Sequence, residues 1–572
     1  MTGPDRGGRR IVERQLGALG LQTRLACQGF TLMADDDVPV LATQNPPLAI
    51  IGALFERQTF ARLKRVSHPV AQTIATDPGG FVCQNFWGRY VAIGAEKESG
   101  EVWALRDPSG AVPVYWVPRP GLALLTSNVR LLVDAGLLIP RVDLAFVAAH
   151  LNRPGHHGTR TGLEEVTELL PGTMLTMGRE IRVRTIWSPF EFIREQPVSA
   201  AGLRSVVERS IVALASCHER LLVTVSGGLD SSIIAASLTR SRRPVSLLTI
   251  ATVDACGDER PWARLLADAL GFALATDIYD HGDIDLQHST TEHQPWLSAR
   301  TFAQGYDRRR QAQARASGAD AIFSGDGGDN VFCLVTSARP VIDRLAAEGL
   351  EAAFETARDI ARLTSCSVPA VLRSACLQML RGSTRSWPLD DRFLSAQAKA
   401  LAACMPWHPW LEPRLGVPPG KRAHIAAIIR TQKYQNAYVP GCAEAVLPLL
   451  SQPIIEACLS VPSWEWCRNG ANRSLARAAF EGVLPNAIVH RRTKGGPDAF
   501  CVEIIERNRP ELREMLLGGV LASSDMLDAA AIDRSLTCGA ALGPDVHRIL
   551  ALVDAEAWMR AWSADAPDRR YL

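Results

Sequence analysis

The apolar run Leu221-Leu222-Val223-Thr224-Val225 leads directly into Ser226-Gly227-Gly228-Leu229-Asp230-Ser231-Ser232. That order reads as a buried strand handing a glycine turn to the start of a helix, expected near Ser231. Gly227 and Gly228 let the backbone approach an anion closely, and Ser226, Ser231 and Ser232 add hydroxyls. The first amides of the helix then face negative charge. Asp230 would repel a bare phosphate, so its position implies a divalent cation bridging carboxylate and phosphates. The segment has no lysine of the kind that completes a G-x-x-x-x-G-K-[ST] loop.

From Leu221 onward strands and helices alternate, which predicts a parallel sheet covered by helices. Val245 to Thr252 reads as a second strand, Glu259 to Leu270 as a helix closed by Gly271, and Thr276 to Tyr279 as a third strand. Arg300 to Ser317 reads as helix, and the strand Ala321-Ile322-Phe323 enters Ser324-Gly325-Asp326-Gly327-Gly328-Asp329-Asn330. Both glycine loops therefore leave the carboxyl edge of one sheet, where Asp329 can join Asp230 at one cation. Asp258-Glu259 opens a helix, and favourable interaction with the helix dipole accounts for it without a catalytic role. Arg491-Arg492-Thr493-Lys494-Gly495-Gly496 offers positive charge to a breaking triphosphate, with Lys494 the candidate residue. Beyond about Pro340 the periodicity is largely helical.

Residues before about 195 read instead as short strands between turns such as Asp77-Pro78-Gly79-Gly80 and Asp107-Pro108-Ser109-Gly110. Gly88 to Gly94 and Val102 to Asp107 form an expected pair, followed by Val112 to Trp116 and Leu122 to Ser127. A polar stretch, Arg194 to Ser199, precedes a helix expected over Ala200 to Cys217 and marks the boundary between units 1–195 and 196–572. With 572 residues, 47% of them hydrophobic, there is ample apolar material for several cores. Lys and Arg (62) nearly balance Asp and Glu (60), so no global field favours a nucleic-acid partner. The 13 cysteines include no C-x-x-C pair, which suits reduced thiols. The polar start and short apolar runs predict neither a leader nor a membrane span, and a cytoplasmic protein.

Taken together, these motifs resemble asparagine synthetase and its relatives. The resemblance runs through both glycine loops, through Arg473-Ser474-Leu475-Ala476-Arg477 leading by Leu484-Pro485 to Lys494, and through Arg106-Asp107-Pro108-Ser109-Gly110 with Pro113-Val114-Tyr115-Trp116. It implies an α/β architecture. An N-terminal-nucleophile-hydrolase-like, β-rich sandwich (1–195) precedes a PP-loop ATP pyrophosphatase domain with a helical remainder (196–572). Glutamine-dependent relatives carry a nucleophilic Cys where Thr2 stands, and a glutamine-binding segment unlike Phe55 to Phe60. The first unit is therefore expected to be glutaminase-like but inactive, with the amine supplied by the acceptor.

Ring-closing relatives fit that expectation. The size, the Ser324 to Asp329 loop and Arg492-Thr493-Lys494-Gly495 look most like lasso-peptide macrolactam synthetases, whereas β-lactam synthetases tend to place Tyr where Asp326 stands. The implied cofactors are ATP and Mg2+. Ser226, Gly227, Gly228, Ser231 and Ser232 would hold phosphates, and Asp230 and Asp329 the metal. Ile250, Ser324 and Gly325 would contact the nucleoside, Asp326 would orient or deprotonate the amine, and Lys494 would stabilise the transition states. Counted from Pro485, that last assignment takes a one-residue shift from Thr493. The implied partner is a precursor peptide, with a leader peptidase or leader-binding protein left open; neither nucleic acid nor membrane is expected. Alternatives are a β-lactam-type or ammonia-dependent asparagine-type synthetase acting on a small molecule, or a nucleotide-binding scaffold without chemistry.

Overall fold

The computed structural model describes residues 6–96, 100–178, 180–193, 196–253, 257–298, 300–381, 387–434, 442–493, 495–537 and 543–564. Up to residue 193 the strands pair antiparallel. A six-stranded sheet runs in the order Ile181–Thr185, Thr173–Met177, Val102–Arg106, Phe86–Ala95, Pro47–Glu56, Val40–Gln44. A three-stranded sheet, Leu122–Thr126, Tyr115–Arg119, Thr167–Glu168, and the hairpin Gln22–Ala26/Thr31–Ala34 complete this part. Strand Val102–Arg106 is buried along its whole length, and its alternation decides where each face goes. Val102 and Ala104 join Leu25, Leu32 and Ala123 in one apolar cluster, linking the six-stranded sheet to the hairpin and the smaller sheet. Trp103 and Leu105 face the opposite way, into a cluster shared with the second part of the chain.

At the end of that strand Arg106 is 1% exposed and bonded to Glu168 Oε1 (2.7 Å), to Leu169 O and Gly110 O (both 2.7 Å) and to Val112 O (2.8 Å). Asp107 Oδ1 accepts the amides of Ser109 (2.8 Å) and Gly110 (3.1 Å). The Arg-Asp-Pro-Ser-Gly segment is thus a buried turn in which Arg106 is satisfied internally, while Asp107 Oδ2 is buried with no hydrogen-bond partner among the described residues. Burial lifts Asp107 to about 6.

The first part also holds helices that the strand-like reading missed, among them Arg6–Ala18 and Leu144–Asn152. The former buries Val12 and Leu16 despite its polar composition, while Arg9 donates to Cys27 O and Gln28 O. The latter is capped by Asp143, whose carboxylate accepts the Phe146 amide at 3.1 Å.

Past residue 196, helix Ala200–Ala215 begins at Ser199, whose hydroxyl accepts the Gly202 amide. It ends two residues before the expected Cys217. Leu203, Val207, Ile211 and Leu214 lie along one stripe of this helix and enter the shared core. A five-stranded, wholly parallel sheet follows in the order Leu274–Tyr279, Val245–Thr252, Leu221–Thr224, Ala321–Phe323, Glu444–Val446. The last strand is three residues long and lies within an otherwise helical region, which is why periodicity did not reveal it. Chain order reverses between Leu221–Thr224 and Ala321–Phe323. That switch point is where open parallel sheets leave a crevice at the carboxyl ends of their strands.

The apolar core is continuous across the two parts, with Trp87, Tyr90 and Trp103 in one cluster with Leu221, Val223 and Ile233. Glu456 adds a polar tie: it accepts Trp187 Nε1 and Gln452 Nε2 at 2.8 Å each and pairs with Arg57. The described cysteines are free thiols. Among the described residues no helix is long and apolar enough to cross a membrane.

Candidate active site

Both glycine loops leave the sheet at its switch point. After Leu221–Thr224, Gly227 adopts φ +63, and a side chain there would stand 2.3 Å from Trp262 Cβ, so only glycine makes this turn. Gly228 is the N-cap of helix Leu229–Leu238, which starts two residues earlier than expected and is buried along its whole length. Helix N-terminal amides therefore stand behind the loop, with Ser226, Ser231 and Ser232 around them. The Ser232 hydroxyl is buried and has no hydrogen-bond partner among the described residues.

The second loop is anchored by Ser324, whose amide donates to Val446 O at 3.1 Å and whose hydroxyl donates to Asp326 Oδ2 at 2.9 Å. The loops are in contact. A Cβ on Gly325 would lie 2.7 Å from the Ser231 amide nitrogen, and one on Gly328 would lie 2.5 Å from Asp230 Cγ.

Asp230 and Asp329 meet at a single guanidinium. Arg473 Nη1 stands 2.7 Å from Asp230 Oδ2 and 2.6 Å from Asp329 Oδ1. Arg473 itself holds a left-handed backbone (φ 55) at the start of helix Ser474–Ala479. The arrangement is two carboxylates across one positive charge beside amide-lined glycine turns, which fits a divalent cation carried in on phosphates; Mg2+ uses one or two carboxylates and leaves its other positions to phosphate and water. Arg473 was visible in the sequence only as part of a longer matching segment. The left-handed turn that aims it has no local signature.

Glu259 corrects the sequence reading. It precedes helix Arg260–Leu270 without capping it through its side chain; that contact belongs to Asp258, which accepts the Arg260 amide at 3.0 Å. Glu259 instead takes Arg491 Nη2 (2.6 Å) and the Gly495 amide (3.1 Å). Arg491 also donates to Ser226 O at 2.9 Å and lies over the Trp262 ring at 4.6 Å. The basic segment is thereby fastened to the first glycine loop. Lys494 lies outside the described residues.

Beside the loops is a cavity of about 640 Å³, lined by Ile250, Asp326, Tyr306, Tyr434 and Gly495 among others. His150, Leu151, Pro154 and Gly155 from the first part of the chain close another wall. Burial pushes the hydroxyls of Tyr306 and Tyr434 above the usual phenol range, so both face the cavity protonated. The predicted residues thus fall in two adjoining places. Asp230, within the first loop, and Asp329 meet at the Arg473 guanidinium, while Ile250 and Asp326 line the cavity; Ser324, bonded to Asp326, and Gly325, against Ser231, join the two.

A switch-point crevice with amide-rich loops, paired carboxylates and an adjoining cavity is an arrangement that suits a nucleotide and a divalent cation in an α/β fold. Residues 202–364 and 442–562 match the model of the asparagine synthase family. That match supports an ATP-dependent ligase that forms amide bonds. Among solved structures, an allosteric regulatory enzyme of purine biosynthesis aligns at 11% identity over 43% of this chain, with a TM-score of 0.18. That alignment spans 63% of the other chain, under two thirds of its length. Glutamine phosphoribosylpyrophosphate amidotransferase from B. subtilis, complexed with ADP and GMP, aligns at 12% identity over 50% of this chain and 71% of its own, with a TM-score of 0.17. Neither likeness carries an argument. No curated protein matches the sequence.

Proposed function

We propose that this ligase is a macrolactam synthetase acting on a peptide, in the manner of lasso-peptide cyclases. The observation that carries the reading is the meeting of Asp230 and Asp329 at Arg473, next to a cavity walled by both parts of the chain. A second observation bears on the amine. Where a glutamine-binding segment would be sought, Phe55 and Phe60 pack on the buried Trp87, with ring centroids 4.7 and 5.2 Å away. Such an apolar cluster offers a glutamine amide no partners. In this reading the unit 1–195 is a glutaminase-like domain without hydrolase chemistry that serves as cavity wall, and 196–572 is the synthetase.

Ser226, Gly227, Gly228, Ser231 and Ser232 bind the triphosphate, and Asp230 and Asp329 would hold Mg2+. When bound, the metal neutralises the charge that separates as pyrophosphate leaves. Ile250, Ser324 and Gly325 hold the nucleoside. An Asp or Glu side chain of the peptide attacks the α-phosphorus, giving an acyl adenylate and pyrophosphate. The peptide's N-terminal amine then attacks the acyl carbon, loses its proton to Asp326 and expels AMP. Arg491 stays paired with Glu259 and bonded to Ser226 O of the first loop, and Lys494 supplies charge to both transition states. A leader peptidase that frees the amine is the partner this scheme needs, in the cytoplasm.

The test is to incubate the protein and its Asp230→Ala variant with ATP, Mg2+ and either peptides beginning in Gly with an internal Asp or Glu, or free amino acids with ammonium. Pyrophosphate release with a peptide product lighter by one water, abolished by Asp230→Ala, is expected. Release only with free amino acids would transfer the assignment to a small-molecule synthetase.

A further inference from the structure

The cavity lining includes three arginines, Arg300, Arg430 and Arg548. Arg300 lies over the Tyr434 ring at 5.5 Å and has no ion pair within 4.0 Å among the described residues. Arg430 follows helix Pro419–Ile429 and stacks on Trp387 at 4.6 Å; its Nε is buried with no hydrogen-bond partner among the described residues. Arg548 is 3% exposed. It donates to Leu151 O (2.5 Å) and Arg392 O (3.0 Å), which leaves Nη2 buried with no hydrogen-bond partner among the described residues. Its nearest carboxylate, Asp390, is 3.9 Å from Nε and already pairs with Arg392.

Among the described residues that line the cavity Asp326 is the one carboxylate; it accepts the Ser324 hydroxyl, and together with Asp307, which is not among the lining residues, it acts on Arg300. A buried guanidinium edge without an acceptor is costly, and a planar carboxylate is the group its fork matches. At the phosphate loops Arg473 and Arg491 are each held by carboxylates, whereas Arg300, Arg430 and Arg548 line the cavity. We infer that Arg300, Arg430 and Arg548 form an anion subsite that takes a second carboxylate of the acceptor, distinct from the one that is activated. The subsite stands on the cavity alone; that its ligand belongs to a peptide rests on the function proposed above. The second carboxylate is then either the peptide's C-terminus or a further acidic side chain.

The direct test uses tricarballylate, a small tricarboxylate without an amine. Its binding to the full chain is measured by calorimetry with the α,β-methylene analogue of ATP present. Arg300→Gln and Arg430→Gln are compared with wild type, and near-UV circular dichroism confirms their folds; Arg548 is left intact because it ties helix Val546–Ala564 to Leu151. Binding by wild type that weakens at least tenfold in each variant, while affinity for the analogue stays within twofold, is expected. Absence of binding, equal binding by all three proteins, or a tenfold loss of analogue affinity overturns the subsite.

A second arm compares turnover of peptides that differ only in a C-terminal carboxylate against a carboxamide, or in one acidic side chain against its amide. The member of a pair that loses at least tenfold in kcat/KM identifies the source. Peptides turned over without preference would remove the subsite and leave the macrolactam reading standing. Binding of tricarballylate without turnover of any peptide would do the reverse.

Discussion

Replacing Gly328 by alanine tests the central geometry with one methyl group. The added Cβ would lie 2.5 Å from Asp230 Cγ, 2.6 Å from its Cβ and 2.8 Å from Oδ1, whereas ordinary contact begins at 3.4 Å. The loops must therefore part by about 0.9 Å. Asp230 cannot yield cheaply, because its helix is buried from end to end and its carboxylate is held by Arg473 at 2.7 Å. Overpacking of this kind costs about 1–3 kcal/mol, which leaves a domain of this size folded. The functional penalty is larger, since a displacement near 1 Å in a positioned site lowers rate roughly 100-fold. The expected outcome is a loss of about that size in kcat/KM for ATP, read from pyrophosphate release, with near-UV circular dichroism preserved. Gly17→Ala is the control: nothing lies within 4 Å of the added atom, and activity should be unchanged. A folded Gly328→Ala protein within threefold of wild type would refute the claim that the two loops are in contact at the nucleotide site.

Arg473→Met removes the guanidinium between Asp230 and Asp329; breaking a fully buried pair costs about 3–5 kcal/mol, and less here because Asp329 is 35% exposed. Its thermal midpoint should fall, and Mg2+ should raise it more than in wild type; equal metal responses would count against a shared metal position. Glu259→Gln weakens the hold on Arg491 and Gly495, so steady-state assays should show kcat reduced at least tenfold with the fold intact, and an unaltered kcat would return Glu259 to a structural role. Burial pulls His156 and His424 down to about 3. Between pH about 6.5 and about 3 the unfolded chain takes protons that the native state refuses, so the stability these neutral imidazoles contribute is present above that window and lost as pH falls through it. Circular dichroism should accordingly show His156→Gln unfolding at lower pH than wild type.

The two glycine loops were legible because everything that makes them is local: a short apolar strand, small residues at the turn, a carboxylate in the first helical turn. The pairing Gly88 to Gly94 with Val102 to Asp107 was legible for the same reason, and both segments lie in the neighbouring strands Phe86–Ala95 and Val102–Arg106. What the sequence could not show is decided by contacts between segments far apart along it. Glu259 looks like a capping residue until Arg491 arrives more than two hundred residues later to claim its carboxylate. Arg300, Arg430 and Arg548 are unremarkable one at a time among the 62 Lys and Arg residues; they become a site only when a loop, the end of one helix and the first turn of another line one cavity. Arg473 shows why the division falls there. The charges of Asp230 and Asp329 each imply a cation, and local pattern names both carboxylates, but the group that bridges them in the fold is set by a left-handed turn over two hundred residues beyond the first. Propensity locates the loops that a nucleotide needs, and tertiary charge balance locates the residues that decide what reacts with it.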